Sequence, residues 1–287
     1  MFKNNFHSVA LVGGPRLVGH KNYFTGIVKF LRRSGKKVLL EKTVAKILGV
    51  KPAIRTEILG ANLILVFGGD GALLGAVREF FGAAGKFAGV RLDGTLGFLT
   101  ENSPENLEKI LKDFFAGNFE IEPRILVAAK IKRGGKLIRK ITALNEIVIS
   151  QKNLAELIEL DFNFARKKIA TFHADGAILA TPTGSTAYSL SAGGPILDPN
   201  LEAFILTPIN PHLLTARPLV LSTDGKIQSK IRVANLILVA DGQKSFGLKI
   251  GDEIIFEKAE WALPIIREKN RNHFEILRKK LNWSQRS

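Results

Sequence analysis

Hydrophobic and polar positions follow two periodicities in turn along the first 120 residues. Short apolar runs typical of buried strands alternate with stretches in which apolar residues recur at helical spacing. The strand runs are 9–12, 38–40, 63–67 and 87–92. The helical stretches are 23–31, 72–81 and 104–115. The last helix is expected to begin at Pro104, with Asn102 and Ser103 as cap candidates. This alternation indicates an α/β domain at 1–120, with a parallel sheet covered by helices.

After Pro123 the pattern changes to short β-rich runs separated by Gly, Asp or Lys turns. The runs are 125–132, 137–149, 157–164, 168–173, 176–181, 203–208, 217–221, 227–233, 235–240, 246–248, 252–257 and 261–267. Such a series is typical of an antiparallel, sandwich-type all-β domain, here placed at 121–268. Residues 269–287 are expected to contribute a short amphipathic helix, 273–281, that packs back on the N-terminal domain.

Composition fits one or two packed domains. The 287 residues are 46% hydrophobic and 24% charged, and none is cysteine, so disulfides and thiolate metal sites are excluded. No apolar run approaches the ~18 residues of a membrane span, and the N-terminus does not resemble a signal peptide. We therefore expect a soluble cytoplasmic protein with no membrane partner.

The formal net charge of +16 is compatible with attraction to a polyanion or with a solvated basic surface. Basic residues are spread along the chain, and the densest patches, 32–37 and 278–280, are short. This favours the solvated surface. Nucleic-acid binding is not expected because the sequence has no basic recognition helix and no aromatic-studded sheet motif.

The most informative motif is Gly-Gly-Asp-Gly at 68–71, directly after the apolar run 63–67. Glycines let the backbone approach a ligand closely, and successive N–H groups at a helix N-terminus form a phosphate site. Gly68, Gly69 and Gly71 are therefore phosphate-binding candidates. A carboxylate would repel phosphate unless a metal or a reacting hydroxyl requires it, so Asp70 indicates chemistry at a phosphate.

Three further clusters are candidates for ligand contact. Residues 181–195 are almost all small, hydroxylated, Gly or Pro, which suits the ribose, amide and pyrophosphate groups of a dinucleotide; a Ser/Gly-rich loop without function is the alternative. Asn145 and Glu146 interrupt an apolar strand and suit the two hydroxyls of a ribose, or form a strand edge or bulge that faces solvent. Asp175-Gly176 alone is more typical of a hairpin turn.

Other motifs are weak. Residues 14–21 only superficially resemble a Walker phosphate loop, and no Rossmann fingerprint follows Val12. No histidine spacing predicts a zinc site, and no residue is singled out as a metal ligand. His212 is expected to be structural, whereas His173 lies two residues before Asp175 and is placed to reach a phosphate.

Together and in this order, these clusters resemble the NAD kinase family, in particular its bacterial branch. The matching pieces are 68–71, 96–100, 145–146, 175–176, 181–196, 216–219, 241–243 and the tail 274–283. Gly-Gly-Asp-Gly alone is shared with phosphofructokinases and lipid kinases, so the resemblance rests chiefly on 181–196 together with Asn145-Glu146. It implies a Rossmann-like, phosphofructokinase-like N-terminal domain and a β-rich NAD-binding domain.

The resemblance implies ATP-dependent phosphorylation of the 2′-hydroxyl of the adenosine ribose of NAD, which gives NADP. It implies that Asp70 is the catalytic base. Because phosphoryl transfer is mostly positioning plus charge neutralisation, we expect a divalent metal, Mg²⁺, to hold the phosphate chain of ATP together with the glycine N–H groups. The resemblance also implies a homodimer or homotetramer with the site shared between subunits. The implied NAD-binding residues are Asp70, Gly71, Asn145, Glu146, His173, Asp175, Thr186, Ala187, Tyr188, Ser189, Leu190, Ser191 and Gln243.

Two departures from the family pattern stand out. Arg91 replaces an asparagine and Asp93 is an extra residue in the loop 89–95, which is expected near the active site. Asn210 stands where relatives often have cysteine and is interpreted as a neutral packing change. A lipid or sugar kinase and a non-catalytic polyanion-binding or nucleic-acid-binding protein remain alternatives, and NADH as acceptor and polyphosphate as donor remain open.

Overall fold

The computed structural model describes residues 6–14, 17, 19–92, 97–152, 158–269 and 272–283. The chain divides into two compact units. The first comprises Met1–Pro123 together with Leu263–Ser287, and the second comprises Arg124–Ala262. No helix in the described ranges is long and apolar enough to cross a membrane.

The secondary structure follows the expected change from α/β to β along the chain. The strands are β1 Ser8–Gly13, β2 Lys37–Leu40, β3 Leu63–Phe67, β4 Lys86–Val90, β5 Glu120–Arg124, β6 Val127–Arg133, β7 Lys136–Ala143, β8 Glu146–Gln151, β9 Ile158–Phe164, β10 Lys167–Ala174, β11 Gly176–Ala180, β12 Ala203–Ile209, β13 Leu219–Ser222, β14 Ile227–Lys230, β15 Leu236–Ala240, β16 Lys244–Gly247, β17 Glu253–Lys258 and β18 Leu263–Arg267. The helices are α1 Lys21–Arg33, α2 Lys42–Leu48, α3 Arg55–Leu59, α4 Asp70–Glu79, α5 Leu107–Phe115, α6 Tyr188–Ser191 and α7 His273–Leu281, with a 3-10 helix at Thr183–Thr186.

The first unit is built on a six-stranded sheet in the order β2-β1-β3-β4-β18-β5. The pairs β1–β2, β1–β3, β3–β4 and β4–β18 are parallel, so the predicted parallel sheet is confirmed. All five residues of β3 are buried, as expected for a strand covered on both faces. The aromatic rings of Phe24 in α1 and Phe67 in β3 pack edge to face at 5.1 Å.

The C-terminal segment completes the sheet of the first unit. Strand β18 pairs with β4, although the sequence places residues 261–267 in the second domain. Its Arg267 is buried and forms ion pairs with Glu101 at 2.9 Å and Glu122 at 2.8 Å. These two carboxylates offset the cost of burying the guanidinium, which ties the returning strand to the rest of the unit.

The start of α5 and the position of Asn102 differ from the sequence-based prediction. Helix α5 begins at Leu107 rather than Pro104, because residues 104–106 form a turn. The cap candidate Asn102 is instead buried, and its Nδ2 donates to the Gly89 carbonyl at 2.8 Å. The short helices α2 and α3 were not predicted.

The second unit contains two six-stranded sheets, in the orders β10-β9-β14-β17-β6-β7 and β13-β12-β11-β8-β15-β16. Every pair recorded within them is antiparallel, and inward-facing residues of both sheets form one apolar core. The predicted all-β sandwich is therefore confirmed. The predicted run 137–149 splits into β7 and β8, which lie in different sheets.

Candidate active site

In the first unit, glycines line the carboxyl ends of two neighbouring strands. Gly68 follows β3 with φ +137°, and a Cβ there would lie 2.7 Å from the Cβ of Ala72. Gly14 follows β1, and its N–H donates to the Phe67 carbonyl at 2.9 Å. The carboxyl ends of parallel strands are where α/β sheets bind ligands, and the exposed Gly69 and Gly71 lie at the start of α4.

Asp70, the first residue of α4, has a carboxylate that accepts four hydrogen bonds from residues in the described part of the chain. Oδ2 accepts from the backbone N of Phe98 at 2.8 Å. Oδ1 accepts from the backbone N atoms of Leu99 at 3.1 Å and Thr100 at 3.0 Å, and from Oγ1 of Thr100 at 2.9 Å. The side chain is therefore held in one orientation, and Oδ2, with one donor against three, is the oxygen better able to accept a further proton donor.

The segment 97–100 packs tightly on this carboxylate. A Cβ at Gly97 would overlap Oδ1 of Asp70 and Oγ1 of Thr100, so only glycine fits. On its other side, Nζ of Lys280 in α7 lies 4.7 Å from the centroid of the Phe98 ring. The sequence singled out Asp70 for chemistry but not for its structural role of holding this segment.

The loop that departs from the family pattern is described only in part. Arg91 donates its backbone N–H to the Asn102 carbonyl at 2.9 Å. Asp93, the extra residue, lies in 93–96, outside the described residues. The same holds for Leu96, the first residue of the matching piece 96–100.

In the second unit, Asp241 organises the start of β8. Its Oδ2 accepts from the backbone N of Leu144 at 3.0 Å, and its Oδ1 accepts from the backbone N atoms of Asn145 at 2.8 Å and Glu146 at 3.3 Å. Asp241 itself has φ +49°, a conformation that Asp tolerates better than most residues. The sequence marked 241–243 for resemblance, but Asp241 was missing from the candidate residues.

Glu146 is a buried carboxyl, only 6% exposed. Its Oε2 has no hydrogen-bond partner among the described residues. Burial and the nearby charge of Asp241 raise the pKa of Glu146 to about 7, although a hydrogen bond from the Tyr188 backbone acts in the opposite direction. The alternative of a solvent-facing strand edge is wrong, because β8 lies between β11 and β15 inside the sheet.

The hydroxyl-rich segment after β11 folds as the 3-10 helix followed by α6. Several of its hydroxyls form hydrogen bonds with other groups of the protein. The internal bonds join Thr181 Oγ1 to the Leu144 carbonyl at 2.5 Å, Ser185 Oγ to the Pro182 carbonyl at 2.7 Å, and Ser189 Oγ to Thr207 Oγ1 at 3.0 Å. A Cβ at Gly184 would overlap the Asn145 carbonyl. Tyr188 and Ser191 are exposed, whereas Thr186, Ala187 and Leu190 are half-buried.

The candidate residues of the second unit fall into two groups at opposite ends of β11. Residues 145–146, 186–191 and 243 lie near its last residue, Ala180, which pairs with Glu146. His173 and Asp175 lie beside its first residue, Gly176. Five residues of strand span about 13 Å, so the two groups lie apart within this chain.

The second group differs from its sequence-based interpretation. Asp175-Gly176 is not a hairpin turn, because β10 and β11 belong to different sheets. Gly176 fits there because a Cβ would lie 2.5 Å from the Ile149 carbonyl. Asn210 is not a neutral packing residue: it is exposed, has φ +45° and donates from Nδ2 to Oδ2 of Asp175 at 2.9 Å. His173 is exposed, 3.9 Å from the Glu159 carboxylate.

Comparison with known families identifies the class of protein to which both units belong. The family model described as ATP-NAD kinase N-terminal domain matches residues 18–119, and the model described as ATP-NAD kinase C-terminal domain matches residues 144–268. The chain belongs to the NAD kinase family. The resemblance seen in the sequence is thereby confirmed.

Individual NAD kinases are similar in sequence to this chain over nearly its whole length. It is 38% identical to the NAD kinase of Syntrophotalea carbinolica over 265 residues, covering 91% of this chain and 93% of the relative. It is 39% identical to the NAD kinase of Shewanella halifaxensis over 291 aligned positions, covering 99% and 93%.

Solved structures agree as well. Yeast NADH kinase complexed with NADH superposes with a TM-score of 0.91 at 25% identity, covering 100% of this chain and 90% of that one. An NAD kinase from Archaeoglobus fulgidus in complex with ATP superposes with a TM-score of 0.77 at 32% identity, covering 96% and 98%. No observation favours a lipid or sugar kinase or a nucleic-acid-binding protein.

Proposed function

We infer that this chain is an NAD kinase that transfers the γ-phosphoryl group of ATP to the 2′-hydroxyl of the adenosine ribose of NAD and forms NADP. Family membership over both units supports the reaction. The main structural support for phosphoryl transfer is the carboxylate of Asp70, which is held in a fixed orientation beside a glycine turn at the carboxyl end of β3.

In the proposed mechanism, Oδ2 of Asp70 orients the 2′-hydroxyl and accepts its proton as the new bond between oxygen and phosphorus forms. The bond between the γ-phosphorus and the bridging oxygen breaks, and ADP leaves with that electron pair. Phosphoryl transfer depends chiefly on positioning and charge neutralisation. The hydrogen bonds from residues 98–100 supply the positioning, because they fix the carboxylate before substrate arrives.

The N–H group of Gly68, a candidate from the sequence, donates to the Val90 carbonyl at 2.9 Å, so the phosphate chain of ATP is assigned to the backbone N–H groups of Gly69 and Gly71. They lie at the N-terminus of α4, where backbone donors and the helix dipole favour an anion. We propose that ATP enters as its Mg²⁺ complex. The described residues contain no group of three or more His, Cys, Asp or Glu side chains able to hold a metal, which fits an ion held largely by substrate phosphates. Mg²⁺ would neutralise phosphate charge during transfer.

NAD is assigned to the second unit through residues that the structure holds rigidly or leaves exposed. Asn145 and Glu146, fixed through Asp241, are proposed to bind ribose hydroxyls. The exposed ring of Tyr188 is proposed to stack on a base. Further contacts are proposed from Thr186, Ala187, Ser189, Leu190, Ser191 and Gln243.

His173 and Asp175 lie at the other end of β11, so we propose that they serve the NAD site of a second protomer. A homodimer or homotetramer is proposed for the same reason. It is supported by exposed apolar side chains in the second unit, with Leu213 57%, Leu214 89% and Val220 51% exposed. Sedimentation of the purified chain tests the oligomer. A cytoplasmic location is proposed from the cysteine-free composition.

The activity is tested by following NADP formation with NAD and NADH, each against ATP and polyphosphate, with and without Mg²⁺. We expect formation of the 2′-phosphorylated dinucleotide with NAD, ATP and Mg²⁺ present. The absence of product in every combination, from a protein shown to be folded, would contradict the assignment. If NADP forms equally well without Mg²⁺, only the proposed role of the metal is contradicted.

A further inference from the structure

A groove in the first unit lies among elements that the proposed reaction does not use. It has a volume of about 690 Å³ and is formed by α1, the edge strand β2 and residues 48–57. Thr25, Val28, Lys29 and Arg32 line its α1 wall. Their spacing of three and four residues places them on one helix face. Its volume lies within the ~300–1,000 Å³ typical of small-molecule sites.

The groove is lined by apolar and by cationic side chains, which we call its apolar floor and its cationic rim. Apolar side chains come from β2 and from the segment after α2, where Val50 is 50% and Ile54 63% exposed. Exposed apolar side chains grouped in a concavity mark binding sites more often than scattered ones do. The floor therefore suits the hydrocarbon or aromatic body of a ligand.

Four cationic side chains also line the groove, against one carboxylate, Glu57. Lys37 lies 3.7 Å from Glu57 and is thereby partly neutralised. Lys29, Arg32 and Lys51 form no ion pair with any residue in the described part of the chain. This rim includes part of the 32–37 basic patch noted in the sequence, and its uncompensated charge favours an anionic ligand.

We propose that the groove binds a small amphipathic anion, with its apolar body on the floor near Ile54 and its phosphate, sulfonate or carboxylate group held by Lys29, Arg32 and Lys51. A guanidinium beside ammonium groups is a common arrangement for anionic oxygens. The volume fits one such molecule, and neither a purely polar anion nor a neutral apolar ligand uses both halves of the groove.

The test uses the full chain and two probes, 8-anilinonaphthalene-1-sulfonate, which fluoresces when bound to apolar surface, and dodecyl phosphate below its micellar concentration as competitor. We expect one dodecyl phosphate to displace the fluorophore from this site. The double variant Lys29→Glu/Arg32→Glu should weaken dodecyl phosphate binding about tenfold or more, and Ile54→Gln should weaken it several-fold.

The matched control is Lys136→Glu/Arg139→Glu, which makes the same charge change at exposed positions of β7. It should leave dodecyl phosphate binding within twofold of the unmodified chain. Saturating NAD and ATP should not displace the fluorophore. Circular dichroism and NADP formation establish that each variant is folded.

Four results would overturn the proposal. Equal weakening by both double variants would show a general charge effect. Displacement of the fluorophore by NAD or ATP would place the probe in the catalytic site. Displacement by inorganic phosphate as effective as by dodecyl phosphate, or by an acidic peptide when dodecyl phosphate has no effect, would exclude an amphipathic small molecule.

Discussion

Thr100 contacts the carboxylate of Asp70 twice, through its backbone N at 3.0 Å and through its hydroxyl Oγ1 at 2.9 Å, both on Oδ1. The two residues are thirty positions apart in the chain. Because both donors converge on one oxygen, the carboxylate is oriented by the segment that follows β4. The other oxygen, Oδ2, retains the greater capacity to accept a proton donor.

Gly97 allows the segment 97–100 to lie close to the Asp70 carboxylate. The variant Gly97→Ala tests whether this close contact is needed for activity. The added Cβ would overlap Oδ1 of Asp70, and relief of the clash must move the carboxylate or the segment. We expect kcat to fall about 10²-fold, since displacements near 1 Å have that effect, and the free energy of unfolding to fall by ~1–3 kcal/mol. Steady-state kinetics and urea denaturation measure the two effects.

The matched control is Gly26→Ala in the exposed part of α1, where an added Cβ has no neighbour within 4 Å. It should leave kcat unchanged and raise the free energy of unfolding by about 0.4–1 kcal/mol, because alanine restricts the unfolded chain. An unchanged kcat for Gly97→Ala would contradict the role assigned to the segment.

The parts of the fold that local pattern determines were predicted well. Strand β3, the glycine turn after it and helix α7 follow from apolar runs, glycine spacing and amphipathic periodicity. The placement of β18 was missed because the choice of strand partner depends on distant residues, here β4. The division of the run 137–149 into β7 and β8 was not predicted, because β-rich residues continue without interruption where the chain passes from one sheet to the other.

Some site residues could be recognised from the local sequence, whereas the role of others depends on contacts with residues far away in the chain. Gly68 to Gly71 and Asn145-Glu146 were singled out by residue type and context. The importance of Asp241 and Asn210 depends on contacts with residues about ninety-six and thirty-five positions away. The two residues share a positive φ, +49° for Asp241 and +45° for Asn210, and φ is a property of the structure rather than of the sequence.

Glu146 makes stability depend on pH. Its pKa is raised from 4.5 to about 7, so the unfolded chain releases this proton at a lower pH than the folded one. Folding therefore becomes less favourable as pH rises from about 4.5 to 7, by up to roughly 3 kcal/mol in total. Glu146→Gln should remove this slope and be more stable, relative to the unmodified chain, at pH 8 than at pH 5.

Urea denaturation of both proteins at pH 5, 6, 7 and 8 measures the difference. Glu253→Gln, which removes an exposed carboxylate in the same unit, controls for the change in net charge and should retain the slope. Parallel curves for the unmodified chain and Glu146→Gln would show that Glu146 titrates alike in both states.

Tyr188 tests the assignment of the second unit to NAD. Its ring is 46% exposed at the start of α6, and base stacking contributes about 1–3 kcal/mol in nucleic-acid binders. Tyr188→Ala should raise KM for NAD roughly tenfold or more, with little change in KM for ATP. Tyr188→Phe keeps the ring and should restore most of the affinity. Equal effects of the alanine variant on both substrates would argue against stacking on NAD.

Two hairpins of the second unit provide a stability comparison. The β9–β10 turn places Ala165 at φ +49° and Arg166 at φ +68°, whereas the β6–β7 turn uses Gly134 at +55° and Gly135 at +78°. Positive φ at both positions is typical of a type I′ turn, which favours Asn-Gly. Ala165→Asn/Arg166→Gly should therefore raise the free energy of unfolding by about 1 kcal/mol.

The reciprocal change Gly134→Ala/Gly135→Ala should lower the free energy of unfolding by a similar amount. Urea midpoints of the two variants measure both effects. A loss of stability in the Asn-Gly variant would indicate that Ala165 and Arg166 make favourable contacts beyond the turn itself.

In the proposed reaction, Asp70 accepts the proton of the NAD 2′-hydroxyl during phosphoryl transfer. The most direct measurement is kcat of Asp70→Asn, together with the dissociation constant of NAD by calorimetry and Thr100→Val as a control that removes only one donor to Oδ1. We predict a fall in kcat of about 10²–10⁴-fold for Asp70→Asn, with NAD binding largely retained and a much smaller effect of Thr100→Val. A kcat near that of the unmodified enzyme would show that Asp70 is not the base.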